Sequence, residues 1–283
     1  HGGALARNGT IYGVPCNAEN VIKIVPSTSE VTTIGHLPSG RNKWYGALLG
    51  RDGCIYGMPY SATGVLRINP RTDDVRMVGC FHPGYKWHGG IVGKDGSIYS
   101  FPSHADTVLK ITPPCPPPGE ECVSQDEEHG VIVEELHLSS SYDPSVMVGS
   151  YKWGGGAMDG EGNIYGIPSD AQCVLKLNPF TKEIITFGVV PDDHNKWQGG
   201  VLADDGNIYC VPSNAESVLV IKPATMELSM IHGLPKGREK WQGGFLGSDG
   251  NIYCIPENAT AILKILPDKQ EFELIDKLSP PRK

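Results

Sequence analysis

Short apolar runs alternate with polar turns along the whole chain, and no stretch carries a helical period. In residues 196–233 the apolar runs are "GGVLA", "NIYCVP", "VLVIKP" and "ATMELSMIHG", separated by "DDG" and "SNAES". The Asp-Gly step predicts a tight turn between the first two runs, and the proline predicts the end of the second as a strand. Four short strands are therefore expected in this segment. The same arrangement recurs directly downstream: "KWQGGVLADDGNIYCVPSNAESVLVIKP" (196–223) is followed by "KWQGGFLGSDGNIYCIPENATAILKILP" (240–267).

The repeat runs through the chain. Its tyrosine falls at Tyr12, Tyr56, Tyr99, Tyr165, Tyr209 and Tyr253, with spacings of 44, 43, 66, 44 and 44 residues. A proline follows three positions later each time: Pro15, Pro59, Pro102, Pro168, Pro212 and Pro256. Six units of about 44 residues, each with four antiparallel strands, predict an all-β, six-bladed β-propeller over 1–283 as a single domain. The rival, a β-solenoid, has much shorter repeats. The units run approximately 1–42, 43–85, 86–151, 152–195, 196–239 and 240–283. The long spacing marks an insertion near 114–140 in the third unit, where a proline run and acidic cluster read as an exposed loop. First and last units would share no strand, so closure would rest on side-chain packing, or further units lie outside the sequence.

Composition agrees with many short strands, since 36 Gly and 23 Pro suit turns better than long helices. A net charge of −8 argues against general nucleic-acid backbone binding. No apolar run is long enough to span a membrane. The eight cysteines show no zinc-type spacing. Cys210 and Cys254 occupy the position held elsewhere by Gly13, Gly57, Ser100 and Gly166, as buried thiols would, and this points to an intracellular, reducing setting. Only Cys115 and Cys122 sit close enough in sequence for a local bridge. The first ten residues carry neither the basic start nor the apolar core of a signal peptide, and Asn8 and Asn258 match glycosylation sequons.

The unit "GNIYGIPSDAQCVLKLNPFTKEIITFG" (162–188) resembles blades of the propeller superfamily that contains NHL repeats, virginiamycin B lyases and gluconolactonase-like enzymes. The resemblance covers all six units and implies the fold and the strand order, not a reaction. By that order "GGxxx" is the innermost strand. The Lys-Trp loops and the Pro-Ser-Asn-Ala turns then emerge at the same end of each blade, which is where function is expected.

All five tryptophans, Trp44, Trp87, Trp153, Trp197 and Trp241, follow a lysine. They suit packing between blades, or a stacking platform for a sugar or a cation. Lys43, Lys86, Lys152, Lys196, Lys240 and Lys283 either pair with carbonyls or a nearby acid such as Asp170, or form a basic collar for an anion. The residue after each Trp varies (Tyr45, His88, Gly154, Gln198, Gln242, with His1 in the first unit), as a ligand-reading position would. His104 and Asp170 vary similarly among Asn17, Ser61, Asn214 and Asn258.

Catalysis has little to build on. The inner strands hold one acid, Asp159, and one carboxylate makes neither a metal site nor an acid–base pair. No nucleophile elbow, zinc helix or phosphate loop occurs. The reading is a non-catalytic binding module without cofactor or metal, engaging a protein partner through the Lys-Trp loops. A multivalent glycan-binding propeller is the alternative. A hydrolase or lyase using His88, Asp159 and His1 is the remaining one.

Overall fold

A computed structural model describes residues 2–115, 130–139 and 144–275. It is all-β, with six four-stranded antiparallel sheets in sequence order, the blade set of a six-bladed β-propeller. The chain divides into two compact units, His1–His137 and Leu138–Lys283. No helix among the described residues is long and apolar enough to cross a membrane.

The first unit holds three blades. They are β1–β4 (Gly3–Leu5, Ile11–Gly13, Val21–Val25, Glu30–Ile34), β5–β8 (Trp44–Leu49, Ile55–Pro59, Val65–Asn69, Asp74–Val78) and β9–β12 (Trp87–Val92, Ile98–Pro102, Val108–Thr112, Ile132–Leu136). The second unit holds β13–β16 (Trp153–Met158, Ile164–Pro168, Val174–Leu177, Ile184–Phe187), β17–β20 (Trp197–Leu202, Ile208–Pro212, Ser217–Lys222, Glu227–His232) and β21–β24 (Trp241–Leu246, Ile252–Pro256, Ile262–Leu266, Glu271–Ile275). Among the described residues no sheet mixes strands from the two ends of the chain.

β12 corrects the expected loop at 114–140: Val108 pairs with Leu136 and Thr112 with Ile132, so the fourth strand of the third blade lies inside it. The strand "VIVEEL" was hidden by the acidic and proline-rich residues before it. His1, Cys122, Lys283 and much of the insertion lie outside the described residues.

The "IYxxP" strands of the second to fifth blades are covered on both faces, which is why they read as unbroken apolar runs. The core lies between consecutive sheets within a unit. Val14 meets Leu66 and Ile68 in one cluster, and Val211 and Val218 meet Ile252 and Leu263 in another. Cys210 and Cys254 are buried there, and burial pushes the Cys254 thiol up to about 12.

The Asp-Gly turns are longer than a two-residue hairpin. In the fifth blade Gly206 N–H donates to the Ala203 carbonyl at 3.0 Å and Ala203 N–H to the Asn207 carbonyl at 2.9 Å. Gly206 sits at φ 80°, the left-handed residue that such a turn requires. A second left-handed glycine explains the "KWxGG" opening. The first two strands slip register between Trp197 and Gly200, and the bulge is made at Gly199, φ 74°.

Candidate functional site at the Lys-Trp loops

Lys43, Lys86, Lys196 and Lys240 of the Lys-Trp pairs each link two blades, and each tryptophan pins its own. Lys43 N–H donates to the Cys16 carbonyl of the first blade at 2.8 Å, while the Lys43 carbonyl accepts the Tyr60 N–H of the second at 2.9 Å. Its ammonium donates to the carbonyls of Ala18 (2.6 Å) and Pro38 (2.8 Å). Lys196 and Lys240 repeat the scheme, their ammonium groups on the carbonyls of Asp193 (2.8 Å) and Ala215 (2.9 Å). Lys86 and Lys152 donate to the carbonyls of Gly84 (2.6 Å) and Gly149 (3.0 Å). Burial lowers Lys43, Lys196 and Lys240 from the ordinary lysine value, and takes Lys86 down to about 8.

Each indole N–H donates to a carbonyl 20 residues on, just before or at the start of the third strand. The pairs are Trp44 to Gly64, Trp87 to Thr107, Trp153 to Cys173, Trp197 to Ser217 and Trp241 to Ala261, at 2.6–3.0 Å. All five rings and all five described lysines are buried. Of the two alternatives, packing and carbonyl pairing account for these contacts: the rings and the ammonium groups are engaged inside the protein. Lys-Trp is a fastening device, stabilising each blade by about 2–3 kcal/mol of ring burial alone.

The second repeated network lies at the opposite end of the blade. Tyr56 Oη donates to Asp52 at 2.8 Å, Tyr99 to Asp95 at 2.9 Å, Tyr209 to Asp205 at 2.8 Å and Tyr253 to Asp249 at 2.9 Å. A cation on the third strand joins it, as Arg67 to Asp52 at 3.4 Å and Lys110 to Asp95 at 3.4 Å. The fourth blade lacks the turn aspartate, and Asp159 takes over from two positions upstream. One of its oxygens accepts the N–H groups of Glu161, Gly162 and Asn163, and the other accepts Asn163 Nδ2 and Tyr165 Oη, all at 2.8–3.0 Å. The expected role of Asp159 as an inner-strand acid is thereby corrected. It is a saturated turn acid.

Asp170 is also structural, though not as a lysine partner. It accepts the Asn195 N–H at 2.7 Å and His194 Nδ1 at 2.9 Å. Asn17 and Asn214 do the same for the N–H groups of Asn42 (2.9 Å) and Glu239 (2.8 Å). Asn42, Asn195 and Glu239 all have positive φ, so an Asx side chain holds the strained residue that precedes each of these lysines. The Asn-to-Asn spacing carried that signal in the sequence.

The residues after the tryptophans behave differently. Tyr45 and His88 are half-buried and meet at 4.9 Å between ring centroids. Tyr45 also meets Tyr60 edge-on at 4.9 Å, and Tyr60 stacks on Tyr85 at 4.6 Å with 17° between planes. His104 joins through Tyr85 (5.4 Å) and Tyr60 (5.8 Å), giving five rings at the Lys-Trp end of the first unit. Burial, and then the neighbouring His104, lower the His88 pKa below the ordinary histidine value. The clustering of Tyr60 and Tyr85 with this position was not visible in the sequence, because Tyr60 has no aromatic counterpart in the other units and Tyr85, a loop residue, recurs only as Tyr151. In the second unit Gln198 donates to Asn195 Oδ1 at 2.5 Å, and Gln242 is exposed.

The second unit also carries a cleft of about 890 Å³, walled by Val148, Tyr151, Phe187 and Val189 with Asp170 and His194 among its polar lining. Among the described residues no group of three or more His, Cys, Asp or Glu is placed to hold a metal ion.

No protein-family model matches the chain, and no curated protein matches it. Solved structures do. Virginiamycin B lyase from Staphylococcus aureus superposes with a TM-score of 0.72 at 14% identity, over 99% of this chain and 84% of that one. A streptogramin B lyase gives 0.70 at 15%, over 99% and 83%. The extracellular domain of a hybrid two component system from B. thetaiotaomicron gives 0.66 at 10%, over 99% of this chain and 36% of that chain. At such identities the likeness is one of fold: the chain is a propeller of the virginiamycin B lyase type in architecture.

Proposed function

We propose that this propeller is a non-catalytic binding module, that its contact surface is the Lys-Trp end of the blades, and that its partner is a protein. One observation carries the reading. At that end the Lys-Trp pairs of the second to sixth blades are consumed by internal bonds, while the residues free to differ are Tyr45, His88, Gln198 and Gln242. A fold held by repeated fasteners leaves its neighbouring positions available for recognition. Tyr85 and the half-buried Tyr45, backed by the buried Tyr60, are the kind of aromatic anchors that protein interfaces favour. The test is capture from the native source on the wild-type chain and on Tyr85→Ala/Gln242→Ala. Partners retained by the first and lost by the second support the reading, and identical profiles count against it.

A glycan reading draws on the same rings, since Tyr85 stacks on Tyr60 with its edge exposed. It predicts signal on a glycan array that Tyr85→Ala removes. A lyase reading draws on the names of the matched structures and on the His88–His104 pair. Turnover of a streptogramin by the wild type, lost in His88→Ala, is its test.

A further inference from the structure

The fourth blade departs from the repeat at positions that meet in one place. β16 ends at Phe187, which pairs with Val174. The other blades hold Ile34, Val78, Leu136, Ile231 and Ile275 at this paired position, all aliphatic. The entry to the blade is also longer. Residues 137–152, sixteen in all, separate β12 from β13, whereas the links 35–43, 79–86, 188–196 and 233–240 have eight or nine. Val148 stands in the added length, directly after a 3₁₀ turn at Pro144–Met147. The Asp170–His194 pair is particular to this blade as well. Other blades hold Asn17, Ser61, His104, Asn214 and Asn258 at the first position, and Arg41, Gly84, Ser150 and Arg238 at the second.

Phe187, Val148, Asp170 and His194 all line the cleft of about 890 Å³, together with Tyr151 and Val189, and every described residue around it belongs to the second unit. Its volume lies within the roughly 300–1,000 Å³ of small-molecule pockets, and its walls combine apolar surface with placed polar groups, as such sites do. The charges are answered internally. Asp170 and His194 meet at 2.9 Å, and the buried Lys152 ammonium lies on the Gly149 carbonyl at 3.0 Å. A charged ligand would lose water here without meeting a counter-ion. The bond to Asp170 fixes a proton on His194 Nδ1, so Nε2 is the ring atom that a ligand can reach.

We propose that this cleft binds a small uncharged molecule, largely apolar or aromatic, which places one hydrogen-bonding oxygen against His194 Nε2. Convergence carries the inference: the blade breaks the repeat at its entry loop, its outermost strand and its Asx position, and the three changes border the same space. Function sits in such local departures rather than in the scaffold itself. Tyr151 and Phe187 supply ring surface, Val148 and Val189 aliphatic surface, and His194 the polar contact that orients the ligand. The site shares no residue with the protein contact at Tyr45, Tyr85, Gln198 and Gln242, so either stands without the other.

The test titrates the chain 1–283 with Nile red, an uncharged aromatic dye with one carbonyl, and follows its fluorescence. One dye per chain should bind saturably. Val148→Asp/Val189→Asp, at two exposed positions, should weaken binding at least about tenfold while the melting temperature holds. His194→Ala should weaken it about two- to tenfold through the lost hydrogen bond. Phe180→Ser, at an exposed residue outside the cleft, should change neither binding nor melting. Non-saturable binding, or binding that either cleft variant leaves unchanged, overturns the inference. So does tighter binding of the anionic dye anilinonaphthalene sulfonate or of the cationic dye rhodamine 6G. Self-association of 1–283 that the aspartate pair abolishes also overturns it, since the cleft would then seat a second copy.

Discussion

Trp197 donates its indole N–H to the Ser217 carbonyl at 2.8 Å, tying the first strand of its blade to the start of the third. The bond is buried, so its loss leaves an acceptor without water. Trp197→Phe keeps an aromatic ring and should cost about 1–3 kcal/mol in urea unfolding. Gln198→Ala, next to it, should stay within about 0.5 kcal/mol. Equal costs for the two would remove the fastening role of the tryptophan.

Lys86 lies well below the ordinary lysine value because burial penalises its charge. Between about pH 8 and the unfolded lysine value near ~10.4, the unfolded chain holds a proton that the folded chain has released. Unfolding free energy therefore rises with pH across that window. Lys86→Met should flatten this limb of the melting-temperature profile, and the difference between the two profiles isolates Lys86.

Burial, followed by the turn carboxylates, raises Tyr56, Tyr99 and Tyr165 far above the ordinary tyrosine value. Burial, followed by its bond to Asp205, does the same for Tyr209. In the unfolded chain they ionise near ~10. Here the folded state holds the extra protons, so stability falls above that pH. An ultraviolet titration of the folded protein should show these phenols silent until the protein unfolds. Phenolate appearing at the ordinary value without unfolding would contradict the Asp–Tyr network.

His88 has the opposite consequence on the acid side. Its folded value is depressed, so the unfolded chain binds the proton first as pH falls through about 6.5, and stability is lost there. His88→Gln should blunt acid destabilisation. His194, raised by its bond to Asp170, contributes stability that is present below about 6.5 and fades as pH rises through its folded value. A His88→Gln profile matching the wild type would show that the ring cluster tolerates the imidazolium.

A methyl group added to Gly199 would meet nothing within 4 Å, yet the φ of this residue is 74°. Gly199→Ala should therefore cost about 1–2 kcal/mol through backbone strain alone, without a packing defect. A cost well beyond that, or none, would mean that the bulge rearranges.

Blade number, strand count and the closing prolines were legible because both faces of "IYxxP" are buried in the second to fifth blades and its turn needs glycine. The Lys-Trp pair was conspicuous but open to two readings. Repetition at a blade end fits a binding ring as well as a fastener, and only the carbonyls that receive Lys43 and Trp44 decide between them. Asp159 misled for a different reason. It stands in strand register yet bonds to the turn that follows, and one-dimensional alignment places it with Ala203 rather than Asp205. The five-ring cluster depends on Tyr60, which no period brings to notice, and on Tyr85, whose one aromatic counterpart, Tyr151, stands in the other unit.

Tyr12 has no turn aspartate of its own. Its hydroxyl donates to Asp73, from the second blade, at 3.1 Å, and Lys23 reaches the same carboxylate at 2.5 Å. Modularity in this molecule is thus directional: cutting out one repeat would orphan a phenol and an ammonium in the module upstream. Gain or loss of repeats by recombination at this seam would have to carry a compensating acid in the same event.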